Sequence, residues 1–121
     1  MSALTWIGAA GLGGFGALLR FFVDGIVSAR AGRRFPVGTL AVNLSGAVVL
    51  GLLAGLALSS ERMLLVGTAT IGSYTTFSTW MLETQRLAED GDVRGAWGNA
   101  LISLAVGLAA AAIGRLIGRH L

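Results

Sequence analysis

Four long stretches without a charged side chain dominate this sequence: residues 1–19, 35–60, 63–82 and 95–114. Each is close to or longer than the roughly 18 to 20 residues a helix needs to cross bilayer hydrocarbon at about 1.5 Å per residue. The breaks between them are short, near residues 30–35, 59–62 and 86–94, and leave no room for an extramembrane domain. Composition agrees. Only 12% of the residues are charged and 55% are apolar, whereas a water-soluble domain carries about 25% charged residues. Too little polar side chain is available to cover a soluble globule. The expectation is an all-α membrane protein, one domain over residues 1–121, with four transmembrane helices at about 4–28, 36–58, 63–85 and 95–117. The N-terminal run lacks the basic start and cleavage pattern of a signal peptide and reads as a span.

The chain has no cysteine, which removes disulfides and thiolate metal sites from consideration. All nine basic residues are arginine. They are spread along the chain rather than gathered into a patch, so they read as span-end anchors and not as a nucleic-acid surface. With four spans both termini share one side, which then carries Arg62, Arg115 and Arg119; the other carries Arg30, Arg33, Arg34, Arg86 and Arg94. So small a difference biases insertion weakly. A chain that inserts both ways can form an antiparallel dimer. The 19 glycines include the pairs Gly51/Gly55 and Gly114/Gly118. Such GxxxG spacing lets helix backbones approach closely in lipid and points to a compact bundle or dimer.

Polar residues inside the apolar runs carry the functional signal. Thr39, Asn43 and Gly46 fall on one face of the second run, and Asn99, Ser103 and Gly107 on one face of the fourth. For Asn43 two readings stand together: an interhelical hydrogen bond, or a donor aimed at an anion in a pore. The third run holds Gly72-Ser73-Tyr74-Thr75-Thr76-Phe77-Ser78-Thr79-Trp80, with five Ser and Thr hydroxyls in seven positions. A glycine followed by hydroxyl residues is a poor helix interior, and its hydroxyls are ready caps for a second helical piece. A broken third helix is the expectation. At membrane depth it is tolerated only inside protein or along a wet cavity, where the broken ends bind ions. Phe77, Trp80 and Glu83 follow as a stripe; the electropositive edges of the rings suit either packing or an anion's path. Arg20 and Asp24, four apart, are spaced for a pair along the first helix.

These residues resemble the Fluc fluoride channel family, also called CrcB. The resemblance lies in Gly13-Gly14-Phe15-Gly16-Ala17-Leu18-Leu19-Arg20, in Gly38-Thr39-Leu40-Ala41-Val42-Asn43-Leu44-Ser45-Gly46, and in Gly72 to Thr79 with Glu83, and it covers essentially the whole chain. It implies a dual-topology antiparallel homodimer in the plasma membrane of a bacterial-type cell (the inner membrane if Gram-negative), passively exporting cytoplasmic fluoride and so protecting against its toxicity. Carried over by position, it implies a pore along Thr39, Asn43, Phe77, Trp80, Glu83, Asn99 and Ser103, with Arg20 at the vestibule. It further implies a structural sodium ion at the dimer interface, held by the backbone carbonyls of Gly72 and Thr75. Three positions depart from the family pattern: Trp80 stands where the family has a second phenylalanine, Asn99 where it has a pore tyrosine, and Gly107 where it has a further serine. The expected partners are fluoride, a second copy of the chain and membrane lipid, with no nucleic acid.

The rival is a four-span transporter of the small multidrug-resistance type. It would need a membrane-embedded glutamate in the first span, which has none; its acid, Asp24, comes late and beside Arg20. An enzyme is not expected, because His120 is the only histidine and no nucleophile–base pair stands out.

Overall fold

The computed structural model describes residues 1–121 and is helical throughout, with no strand. The first helix, α1 (Ala3–Ala31), starts where Ser2 accepts a hydrogen bond from the Thr5 N–H and stops at Gly32, whose φ of +82° a glycine adopts without strain. Pro36 precedes α2 (Val37–Gly55) and fixes the turn into it. A short turn then leads to Ser59, which caps α3 (Ser60–Arg62).

From there the chain winds more loosely. Met63–Ile71 is π-helical, with the Gly72 N–H reaching back five residues to the Gly67 carbonyl. The Thr70 hydroxyl also donates to the Leu65 carbonyl at 2.7 Å, five residues back, which suits the wider turn. One further helical turn, α4 (Gly72–Tyr74), ends as Thr75 goes extended at φ −80°, ψ 164°. After the non-helical residues 75–77 comes α5 (Ser78–Glu89). Gly91 at φ +85° turns the chain, and Asp92 caps α6 (Val93–Arg119) by accepting from the Gly95 N–H at 2.8 Å.

Three helices, α1, α2 and α6, are long and apolar enough to cross a membrane. The second ends at Gly55 rather than at residue 58. The stretch expected as a third span is not one helix but the succession of pieces from Ser60 to Glu89. Within residues 72–80, where the sequence suggests a break, Gly72 itself is still helical and the helix gives way at Thr75.

Only 16 of the 121 residues are buried within the chain, while Leu4, Phe21 and Leu108 lie largely exposed. In water such an apolar exterior would drive aggregation, whereas lipid accepts it. The closest helix contact joins α2 to α6. A Cβ on Gly51 or Gly55 would run into the carbonyl of Ala111 or Arg115, and one on Gly114 or Gly118 into that of Val48 or Leu52. The two GxxxG pairs therefore face each other inside one chain. On the other side Gly16 of α1 lies against the Thr70 carbonyl of the π-helical stretch.

Candidate functional site

The interrupted segment is held in place by α2. Asn43 donates from Nδ2 to the Thr76 carbonyl at 2.9 Å and accepts the Thr76 N–H at Oδ1 at 2.8 Å. Helix geometry cannot supply partners for these two backbone groups once the chain leaves the helix, and one half-buried amide side chain supplies both. Of the two readings of Asn43, the interhelical bond is made, and one Nδ2 hydrogen stays uncommitted. Thr76 also completes the restart of the helix, since its hydroxyl accepts the Thr79 N–H at 3.2 Å. Sequence reasoning gave Thr76 no separate role, although the clustered hydroxyls pointed to a cap in this stretch.

A cleft of about 310 Å³ opens beside this clamp. Asn43, Thr76, Phe77, Trp80 and Ser103 line it, with Gly46 and Gly107 leaving room on α2 and α6. Phe77 is 70% exposed, and its ring meets that of Trp80 edge to face, with centroids 5.7 Å apart and planes at 87°. Amide, hydroxyl and aromatic side chains thus share one space with Leu50, Leu104 and Leu108, and no arginine or carboxylate lines it. Such a lining can replace part of a small anion's hydration shell without the deep trap that a fixed cation would make.

The remaining candidate residues are distributed around this cleft. Thr39 donates to Glu83 in a short hydrogen bond between α2 and α5. Thr39 precedes Asn43 by one turn of α2, and Glu83 follows Trp80 by one turn of α5, so the pair sits one turn from the cleft on both helices. Asn99, expected along the ion path, is only 2% exposed and does not line the cleft. The Trp80 indole N–H, in turn, is not free: it donates to the Asn99 backbone carbonyl at 3.0 Å. Arg20 lies on α1, outside the cleft. Its expected pairing with Asp24 is replaced by a hydrogen bond from Ser28 to Asp24 at 3.2 Å. Gly38 of α2 seats against those two side chains, where a Cβ would collide with both.

Gly72 and Thr75 flank the end of α4. Neither carbonyl accepts a backbone or side-chain hydrogen bond within the chain, because the residues that would donate to them lie in the non-helical stretch or turn elsewhere. Free carbonyl oxygens at a helix C-terminus are hard donors that suit a cation such as sodium. The residues expected to hold a structural sodium ion therefore fit it chemically.

Sequence comparison places these features among known proteins. The profile of the family described as CrcB-like protein, Camphor Resistance (CrcB), matches residues 7–115. A protein of Mycolicibacterium paratuberculosis named fluoride-specific ion channel FluC 2 is 60% identical over 111 residues, covering 92% of this chain and 91% of its own. The Mycobacterium tuberculosis protein of the same name is 53% identical over 117 residues, 97% of this chain and 93% of its own. A more distant relative, fluoride-specific ion channel FluC 1 of Symbiobacterium thermophilum, is 39% identical over 121 residues, 95% of this chain and 98% of its own.

Proposed function

This chain belongs to the CrcB family, and from that premise we propose that it is a passive, fluoride-selective ion channel. It exports cytoplasmic fluoride across the plasma membrane of a bacterial cell and so protects the cell from fluoride. The observation that carries the reading is the cleft beside the interrupted helix, which Asn43, Ser103 and Phe77 line together without a fixed charge. Fluoride is small and strongly hydrated, so a path for it must offer close donors in place of water. The uncommitted Asn43 N–H is such a donor, and the Phe77 ring beside it can add an electropositive edge. Several weak contacts in succession permit exit as well as entry, as conduction requires. In this reading Thr39 and Glu83 continue the polar route one turn beyond the cleft, Trp80 is a wall of it, Asn99 supports that wall, and Arg20 attracts anions at its mouth.

The segment from Ser60 to Glu89 is, in the same reading, the third of four spans within a single membrane domain, crossing as two pieces. Non-helical backbone at membrane depth needs protein around it, and much of the exterior here is apolar and uncovered. A second, oppositely oriented copy supplies that cover, and the weak arginine asymmetry allows both orientations. The carbonyls of Gly72 and Thr75, which have no donor within the chain, would hold a sodium ion between the two copies. Such an ion supplies a fixed positive charge that ties together backbone ends otherwise left unpaired.

The test is ion efflux from liposomes carrying the purified protein, read in parallel with fluoride and chloride electrodes. Rapid fluoride loss with negligible chloride loss is the expected result. Folded protein that releases neither ion, or both equally, would refute the assignment.

A further inference from the structure

Trp80 is held to α6 by more than its indole N–H. Asn99 donates from Nδ2 to the Thr84 hydroxyl at 2.8 Å and, at 3.4 Å, to the Trp80 carbonyl. Thr84 in turn donates its own hydroxyl to the Trp80 carbonyl at 2.8 Å. Ser103, which faces the cleft, reaches the Asn99 Oδ1 at 3.4 Å. The network is reciprocal: the Trp80 side chain donates to the Asn99 backbone while the Asn99 side chain donates to the Trp80 backbone. Every polar atom of the buried Asn99 side chain has a partner inside the protein. None is left over for an ion. An indole whose N–H is tied to one backbone atom, on a residue whose carbonyl is bound from two sides, has little freedom to rotate. Its ring is the one against which Phe77 packs edge-on.

We propose that Asn99 and Thr84 are positioning residues that lock the Trp80 indole as a rigid wall of the cleft, and that this lock sets the discrimination between fluoride and larger anions. The selectivity half of the inference rests on the channel reading above; the lock itself does not. A wall free to swing would widen the cleft for an anion the size of chloride, whereas a fixed wall keeps the space beside the free Asn43 N–H narrow enough to favour a small ion. Thr84 is absent from the cleft lining and acts only through Trp80.

The experiment uses the full chain in liposomes with Trp6→Phe and Trp97→Phe, so that Trp80 is the sole tryptophan. Thr84→Val keeps the shape of the side chain and removes its hydroxyl; Thr84→Ser keeps the hydroxyl. Thr84→Val should lower Trp80 fluorescence anisotropy and reduce the fluoride-to-chloride flux ratio about three- to tenfold, in line with the worth of one interhelical hydrogen bond. Thr84→Ser should restore both. In a Trp80→Phe background, Thr84→Val should leave the ratio unaltered, as coupling through Trp80 demands. Unchanged anisotropy in folded Thr84→Val protein would overturn the lock. An equal fall in the ratio with and without Trp80 would overturn its link to selectivity. A parent protein that passes no fluoride would refute the channel reading, while the anisotropy would still decide the lock. Should Thr84→Val fold poorly, Asn99→Leu breaks the same Asn99–Thr84 hydrogen bond from the α6 side, by removing its donor, and carries the same expectations.

Discussion

One amide, that of Asn43, carries an observed role and a proposed one. Its carbonyl and one N–H satisfy the backbone of Thr76, which no helix can satisfy at that point, and its other N–H is free to meet an anion. Asn43→Asp separates these roles from mere polarity. The carboxylate can still accept the Thr76 N–H but loses both donors and sets a negative charge against the Thr76 carbonyl. We expect loss of fluoride flux together with a fall in stability of about 1–3 kcal/mol, the usual cost of a buried carbonyl left without its partner. The checks are electrode flux and the thermal unfolding midpoint in detergent. A variant with normal flux and an unshifted midpoint would show that neither role exists.

Between elements, the glycines differ sharply in what they do. Gly114 lies so close to the Val48 carbonyl that any Cβ would overlap it. Gly114→Val should push α2 and α6 apart and destabilise the fold by about 1–3 kcal/mol or more through overpacking, visible as aggregation on size-exclusion chromatography. Gly25, by contrast, has no atom near the position its Cβ would occupy. Gly25→Ala should leave the elution profile unchanged and raise the melting point slightly, since Ala is favoured over Gly in a helix interior by about 0.5–1 kcal/mol. If the two variants behave alike, the α2–α6 contact is not what the glycines serve. The same contrast explains how GxxxG pairs that sequence spacing leaves open to a bundle or a dimer come to be used within one chain. Gly51 and Gly55 meet the carbonyls of α6 just where Gly114 and Gly118 meet those of α2.

For the whole molecule, the open question of symmetry is one of insertion. Because the chain has no cysteine, His120→Cys places a single thiol at the exposed C-terminal end. With a membrane-impermeant maleimide, about half the protein should label in intact cells and the rest only after permeabilisation, as expected of a chain whose arginine bias is weak. Labelling wholly from one side would exclude the antiparallel dimer. It would leave the carbonyls of Gly72 and Thr75 to find another partner.

Hydropathy and charge spacing alone set the solvent and the family of solutions. Charge-free runs of spanning length permit helices in lipid and little else, because unpaired backbone is too costly there. The same pattern marked residues 72–80 as the place where helix would fail and named Asn43, Phe77, Trp80 and Ser103, which do share a cleft. What periodicity could not decide is how hydrogen-bonding capacity is divided once helices touch. A one-dimensional pattern places Asn99 and Ser103 on the same face, but the tertiary structure turns Asn99 inward to Trp80 and Thr84 and leaves Ser103 at the cleft. Arg20 and Asp24 have the right spacing to pair, yet the carboxylate's hydrogen bond comes from Ser28, one turn later on the same helix, where Gly38 of α2 packs against both side chains. Where within residues 72–80 the helix stops, at Thr75, was decided for the same kind of reason. Conformational freedom at glycine only permits a helix to end, whereas Asn43 of a neighbouring helix holds the freed Thr76 backbone and so fixes where it does.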